Sequence, residues 1–82
     1  MQIKTYVGAS KPAYRLVIPS DRSLSDLSER IQTAAKNLGK LQFVHEIELD
    51  PDNTFHATLL KQIAAEGAAL WKVDVKFEEI AG

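Results

Sequence analysis

The end of the chain alternates almost without interruption. Between Leu70 and Ile80, Trp71, Val73, Val75 and Phe77 fall on one side of an extended chain, and Lys72, Asp74, Lys76 and Glu78 fall on the other. Side chains on a strand repeat every two residues, so this pattern predicts a strand with one buried and one wet face. Trp71, at the head of the apolar side, is expected to be buried against one or both helices. The same signature recurs three times. Ile3, Thr5 and Val7 alternate with Gln2, Lys4 and Tyr6. Tyr14, Leu16 and Ile18 alternate with Ala13, Arg15 and Val17, until Pro19, which has no N–H for a ladder, ends the run. Leu41, Phe43, His45, Ile47 and Leu49 alternate with Gln42, Val44, Glu46 and Glu48, which gives the third strand an acidic outer face. Gly8 to Pro12 reads as the turn between the first two strands, so these are expected to form a hairpin.

Two segments change period. Leu24, Leu27, Ile31, Ala34, Ala35 and Leu38 keep helical spacing and form one apolar stripe. Ser23, with Asp26 three residues on, resembles a capping box at its start, and Gly39 is the expected left-handed stop. Asp26 and Glu29 sit early and Lys36 and Lys40 late, as the helix dipole favours. Asp50 to Asn53 then make a turn and cap leading into a second helix. Its buried face is Phe55, Leu59, Leu60, Ile63 and Ala64, and Gly67 ends it.

The predicted order is ββαβαβ. A first helix of about 15 residues is roughly 22 Å long, close to the ~23 Å of a seven-residue strand. Each helix can then return the chain to the starting end of its strand, which suits right-handed crossovers. Because every strand has a polar outer face, both helices are placed on the same side. The expected fold is α+β: a two-layer α/β sandwich with a four-stranded mixed sheet and two helices on one face, a single domain over residues 1–82.

Composition adds bounds rather than chemistry. With 82 residues, 45% hydrophobic and 26% charged, the chain is ordinary for a globular domain, and its small size limits the surface it can bury. It contains no cysteine, so neither a disulfide nor a thiolate metal site can add stability. A homodimer or a bound partner is therefore an expected source of it. The absent cysteines, with no signal-like start and no membrane-spanning run, fit a soluble cytoplasmic protein. The net charge of −1 argues against a protein that coats DNA. Its distribution is uneven: seven Lys or Arg against three acids in residues 1–40, three against eight in residues 41–82, hence +4 and −5.

Candidate chemistry is sparse. His45 holds an apolar-side position in the third strand, where a satisfied core-edge histidine is the commoner explanation than a base or ligand. His56, Asp50, Asp52 and Glu46 could gather near the second helix, but the chain has no HxxxH or HExxH spacing, and the two aspartates suit turn and cap roles. No GxSxG elbow and no glycine-rich phosphate loop is present. No catalytic residue, metal ligand or cofactor is assigned, and an enzyme or metal-binding domain around His45 and His56 is the third reading. The second is nucleic-acid binding by the basic hairpin, with Lys4, Lys11 and Arg15 for phosphates and Tyr6 and Tyr14 for bases. Glu46 and Glu48 on the neighbouring wet face oppose it.

The first reading is a non-enzymatic protein-interaction module, an adaptor, regulator or inhibitor of a macromolecular partner, working through an open sheet face or an edge strand. On the expected face lie Lys4, Tyr6, Arg15, Val17, Gln42, Val44, Glu46, Glu48, Lys72, Asp74, Lys76 and Glu78. The partner-binding set is Tyr6, Arg15, Val17, Val44, Lys4 and Lys72, with Tyr6 and Arg15 as anchors because tyrosine and arginine dominate interface energetics.

Overall fold

The computed structural model describes residues 1–73. The strand positions from Asp74 onward, including Val75 and Phe77 of the expected apolar face, lie outside the described residues. Strands β1 (Gln2–Gly8) and β2 (Lys11–Pro19) form the expected hairpin. A 3₁₀ turn (Leu24–Asp26) and helix α1 (Glu29–Asn37) follow, then β3 (Leu41–Glu48), α2 (Thr54–Glu66) and β4 (Ala69–Lys72). The sheet order is β3-β1-β2-β4.

Every neighbouring pair of strands is antiparallel. The sheet is therefore not the mixed sheet expected from helix length. The expectation was that each helix returns the chain to the starting end of its strand; α1 does so, leaving β3 parallel to β2, but α2 does not, and β4 runs opposite to β3. Here the hairpin occupies the centre, so α1 carries the chain over β1 to reach β3, and α2 carries it back across both hairpin strands to β4.

The larger correction concerns the layers. Leu16, Val17, Ile18 and Pro19 are all buried, although successive side chains on a strand point to opposite faces. Both faces of β2 are therefore covered. Leu16 and Ile18 pack with Leu27, Ile31, Ala35 and Leu38 from α1 and its flanks. Val17 packs with Ile3, Leu49 and Ala69 beneath Leu59 and Ile63 of α2. The helices lie on opposite sides of the sheet, in three layers rather than two, and the continuous aliphatic run of β2 is what a strand buried on both faces requires. Beyond the sheet end where β4 begins, the helices approach each other, with Arg30 Nη1 3.2 Å from Glu66 Oε1. That exposed pair contributes about 0–1 kcal/mol.

The first helix is also shorter than its apolar stripe. Ser23 to Asp26 close a 3₁₀ turn, Leu27 is extended, and Ser28 caps α1 by accepting from the Ile31 N–H at 3.4 Å. The segment holds two competing caps, and serines favour such local hydrogen bonds over helix interiors. The Gln32 amide donates to the Leu27 carbonyl at 2.8 Å and so satisfies a backbone group freed by the break. Leu27, Ile31, Ala35 and Leu38 still reach the core. On α2, Asn53 Oδ1 accepts from the N–H groups of Phe55 and His56, and Gly67 stops the helix at φ 87°. Leu59 and Ile63 are buried, Leu60 is half-buried, and Phe55 and Ala64 are exposed, so the buried stripe is narrower than expected.

Asp26 shows one pH consequence of the 3₁₀ turn. Its carboxylate accepts from the Ser23 N–H at 3.1 Å and the Ser23 hydroxyl at 2.9 Å. The backbone bond first, then the hydroxyl bond, hold its carboxyl below the ordinary value of 3.8. A depressed folded-state pKa stabilises above the unfolded value, so the contribution is complete above pH 3.8 and is lost as pH falls below it. Asp26→Asn is expected to flatten the acid limb of a stability-versus-pH curve below that point and leave the neutral-pH limb parallel to wild type. Urea melts across the acid range read this directly. An unchanged acid limb would show that the turn does not use the charge.

Candidate functional site

The sheet has two edges, and they differ. At the β4 edge the ladder parity is set by the Val73 N–H, which donates to the Ala13 carbonyl of β2. Val73, Trp71 and Ala69 therefore bond inward, and Leu70 and Lys72 point their backbone groups outward. The Leu70 N–H is met by Gln62 Oε1 from α2 at 3.2 Å. This side chain occupies the position where an added strand would bond.

The β3 edge has no such cover among the described residues. Residues 42–46 are all exposed, with Phe43 at 53% and Val44 at 42%. The ladder parity again shows which groups face out. The Leu49 N–H donates to the Met1 carbonyl, so Leu49, Ile47 and His45 bond inward to β1. The Lys40 carbonyl accepts from the Ala9 N–H, so Lys40 and Gln42 also bond inward. Leu41, Phe43, Glu46 and Glu48 are left with their N–H and C=O groups aimed away from the sheet.

A bulge joins the two halves of this edge. Thr5 pairs with His45 and Tyr6 with Phe43, so Val44 has no partner in β1. The extra residue reverses the face presented beyond it. Leu41 and Phe43 share the α1 side of the sheet with Tyr6, and after the bulge Glu46 and Glu48 take over that side. His45 and Ile47 turn to the α2 side. The expected single apolar face of Leu41, Phe43, His45, Ile47 and Leu49 is therefore split. Of the five only Leu49 is buried, while Phe43 and His45 are exposed.

Around the edge, the Tyr6 and Phe43 rings meet edge-to-face with centroids 5.9 Å apart. Lys4 stands in register with Glu46. Past Phe43 the chain turns acidic: Glu46, Glu48, Asp50 and Asp52 occur with no Lys or Arg between residues 41 and 60. The Met1 ammonium lies 2.9 Å from Glu48, which keeps 65% of its side chain exposed. At the other end a cleft of about 450 Å³ opens between Val7–Ala9 of the hairpin and Lys40–Gln42, with Pro12 on its wall.

The expected partner-binding residues do not converge on one face. Lys4, Tyr6 and Val44 lie together beside the free edge. Val17 is 1% exposed and belongs to the core beneath α2. Arg15, on the opposite side of the sheet from Tyr6, faces Trp71 across β4 and donates from Nη1 to the carbonyls of Pro12 at 2.6 Å and Tyr14 at 3.1 Å. Its guanidinium staples the hairpin. Lys72 is exposed on β4, two strands away from Tyr6. The basic hairpin set is divided in the same way: Lys11 sits 5.9 Å over the Tyr14 ring, but Arg15 is turned to the other face. Phe43 was missed because strict alternation assigned it to the buried side, and a single-residue bulge leaves no periodic trace in an eight-residue strand.

The histidines are placed apart. His45 is exposed on β3, whereas His56 Nδ1 accepts from the Asp50 N–H at 3.0 Å and ties the α2 start to the end of β3. Among the described residues no three His, Cys, Asp or Glu side chains converge as a metal site would require. Trp71 is half-buried on the α2 side rather than buried as expected, edge-on to Phe55 at 4.8 Å, and its indole N–H has no acceptor among the described residues. No described helix is long and apolar enough to cross a membrane. No protein-family model, no curated protein and no solved structure matches the chain.

Proposed function

We propose that the protein is a non-enzymatic interaction module that takes an extended segment of a partner protein along the free edge of β3, acting as an adaptor, regulator or inhibitor. The observation that carries this reading is the asymmetry of the two edges. Gln62 covers the Leu70 N–H, one of the two outward N–H groups of the short β4, while Leu41, Phe43, Glu46 and Glu48 offer a longer row of ladder groups on β3 that meets no cover among the described residues. Strand addition uses such groups for affinity and alternate side chains for selectivity. Phe43 and Tyr6 supply an aromatic step beside the row, and aromatic side chains are common interface anchors. The open-face idea survives only over β1 and β3, where Lys4, Tyr6, Phe43 and Val44 gather. With no cysteine to protect, a reducing cytoplasmic setting suits the module.

The test uses a displayed library of random dodecapeptides selected on the folded protein. Selected peptides are expected to perturb the backbone amides of residues 41–48 in a nitrogen-15 correlation spectrum. Val44→Pro should abolish binding, because proline on an edge blocks an added strand. Val44 has no partner in β1, so the melting temperature should stay near wild type. Peptides that shift the outer helix surfaces around Arg30, Lys61 and Gln62 instead would place the working surface there and overturn the proposal. A salt-sensitive complex with single-stranded or duplex probes, weakened by alanine at Lys4 and Lys11, would favour the nucleic-acid reading.

A further inference from the structure

Resting on that reading, we infer that the segment docking on β3 is basic at one end and apolar at the other: two Lys or Arg residues two positions apart, followed by two apolar residues at the same spacing. The parity of the edge sets this pattern. The residues whose backbone groups point outward are Leu41, Phe43, Glu46 and Glu48. All four side chains stand on the α1 side, because the bulge at Val44 corrects the face between the two halves. A strand paired against them places its own alternate side chains directly opposite, on that same side. Opposite Glu46 and Glu48 it meets two exposed carboxylates, followed in the chain by Asp50 and Asp52, with no Lys or Arg between residues 41 and 60. Opposite Phe43 and Leu41 it meets apolar surface, continued by the Tyr6 ring and the cleft beside Gly8 and Pro12.

Strand β1 already shows that such a partner fits. It lies antiparallel to β3 with Lys4 opposite Glu46 and Tyr6 opposite Phe43, a basic and an aromatic residue two positions apart. The docking segment repeats this solution on the other side of β3. A second copy of the chain fits less well. Antiparallel self-pairing centred on Ile47 sets Glu46 against Glu48 of the copy, and like charges directly opposite destabilise a sheet. Self-pairing centred on Val44 sets two bulges against each other at the axis, where neither strand offers a regular ladder.

The experiment measures the library-selected dodecapeptides against wild type, Glu46→Lys/Glu48→Lys and Val44→Pro by fluorescence anisotropy. Peptides enriched on wild type should carry alternating Lys or Arg. They should bind the double charge-reversal variant about tenfold or more weakly and lose affinity as salt is raised. A lysine-to-glutamate version of the best peptide should regain binding on the double variant. Peptides that need Val44 unblocked yet bind the double variant as tightly as wild type overturn the basic-segment inference and leave strand addition standing. If no peptide is enriched, or none is sensitive to Val44→Pro, both fall. A wild-type dimer in sedimentation that the charge reversal dissociates, or strengthens through Lys–Glu mixing of the two proteins, would make a second copy the occupant and overturn the inference.

Discussion

Val17→Lys is expected to abolish cooperative unfolding. Val17 is 1% exposed and lies with Ile3, Leu49 and Ala69 beneath Leu59 and Ile63 of α2. An ammonium placed there has no carboxylate to meet, and an uncompensated buried charge costs several kcal/mol. At about 0.05–0.15 kcal/mol per residue, a chain of this length holds roughly 4–12 kcal/mol in total, so the substitution removes most or all of it. Leu16→Ala, on the other face, should cost about 2–5 kcal/mol by leaving a cavity under α1. The pair separates the three-layer arrangement from a two-layer one. With both helices on one side, only one of two successive residues in β2 could be critical. Urea titrations followed by far-ultraviolet circular dichroism provide the measurement. A Val17→Lys protein that melts cooperatively near the wild-type midpoint would mean that α2 does not cover this face.

The same residues show how far the fold can be read from sequence. The elements are legible because their signals are local: alternation for the strands, helical spacing and caps for the helices, Gly39 and Gly67 for the stops. The layer arrangement is not local, and it was obscured by reading Val17 as the polar-side partner of Leu16 and Ile18. Three successive aliphatic residues and a proline break the alternation, and that break is the mark of a strand covered on both faces. Strand pairing depends on which strands become neighbours and on the direction in which α2 delivers β4, tertiary outcomes that neither length nor composition states. Near the edge, Lys4, Tyr6 and Val44 were legible as exposed positions at odds with a core. Phe43 was not, because its exposure follows from β3 being an edge strand and from the one-residue bulge beside it. Arg15 shows a different limit. Its charge marks it as a surface anchor, but the carbonyls of Pro12 and Tyr14 are closer than any partner.

The second large effect is expected at Gly8. A Cβ built there overlaps the carbonyl oxygen, carbonyl carbon and Cβ of Leu38. Most of the obstruction is backbone, so it cannot be relieved by turning a side chain. Leu38 is itself 2% exposed at the end of α1, and its carbonyl accepts from the Ser10 N–H at 2.9 Å. Relief must push the end of α1 off the hairpin and stretch that bond. Gly8→Ala should therefore cost about 3 kcal/mol, at the upper end of overpacking penalties. Gly67→Ala is the control for conformation alone. Gly67 has φ 87° with nothing within 4 Å of a built Cβ, so it should lose only about 1 kcal/mol. The Gly8 substitution also reaches the proposed binding edge. Gly8 is in register with Leu41 and borders the cleft at the apolar end of β3, so moving Leu38 drags Lys40 and Leu41 with it. Residual folded Gly8→Ala protein should bind edge-directed peptides more weakly, whereas Gly67→Ala should bind as wild type does. Equal stability losses at the two glycines, or unchanged peptide affinity in Gly8→Ala, would show that the close approach of α1 to the hairpin does not hold the start of β3 in place.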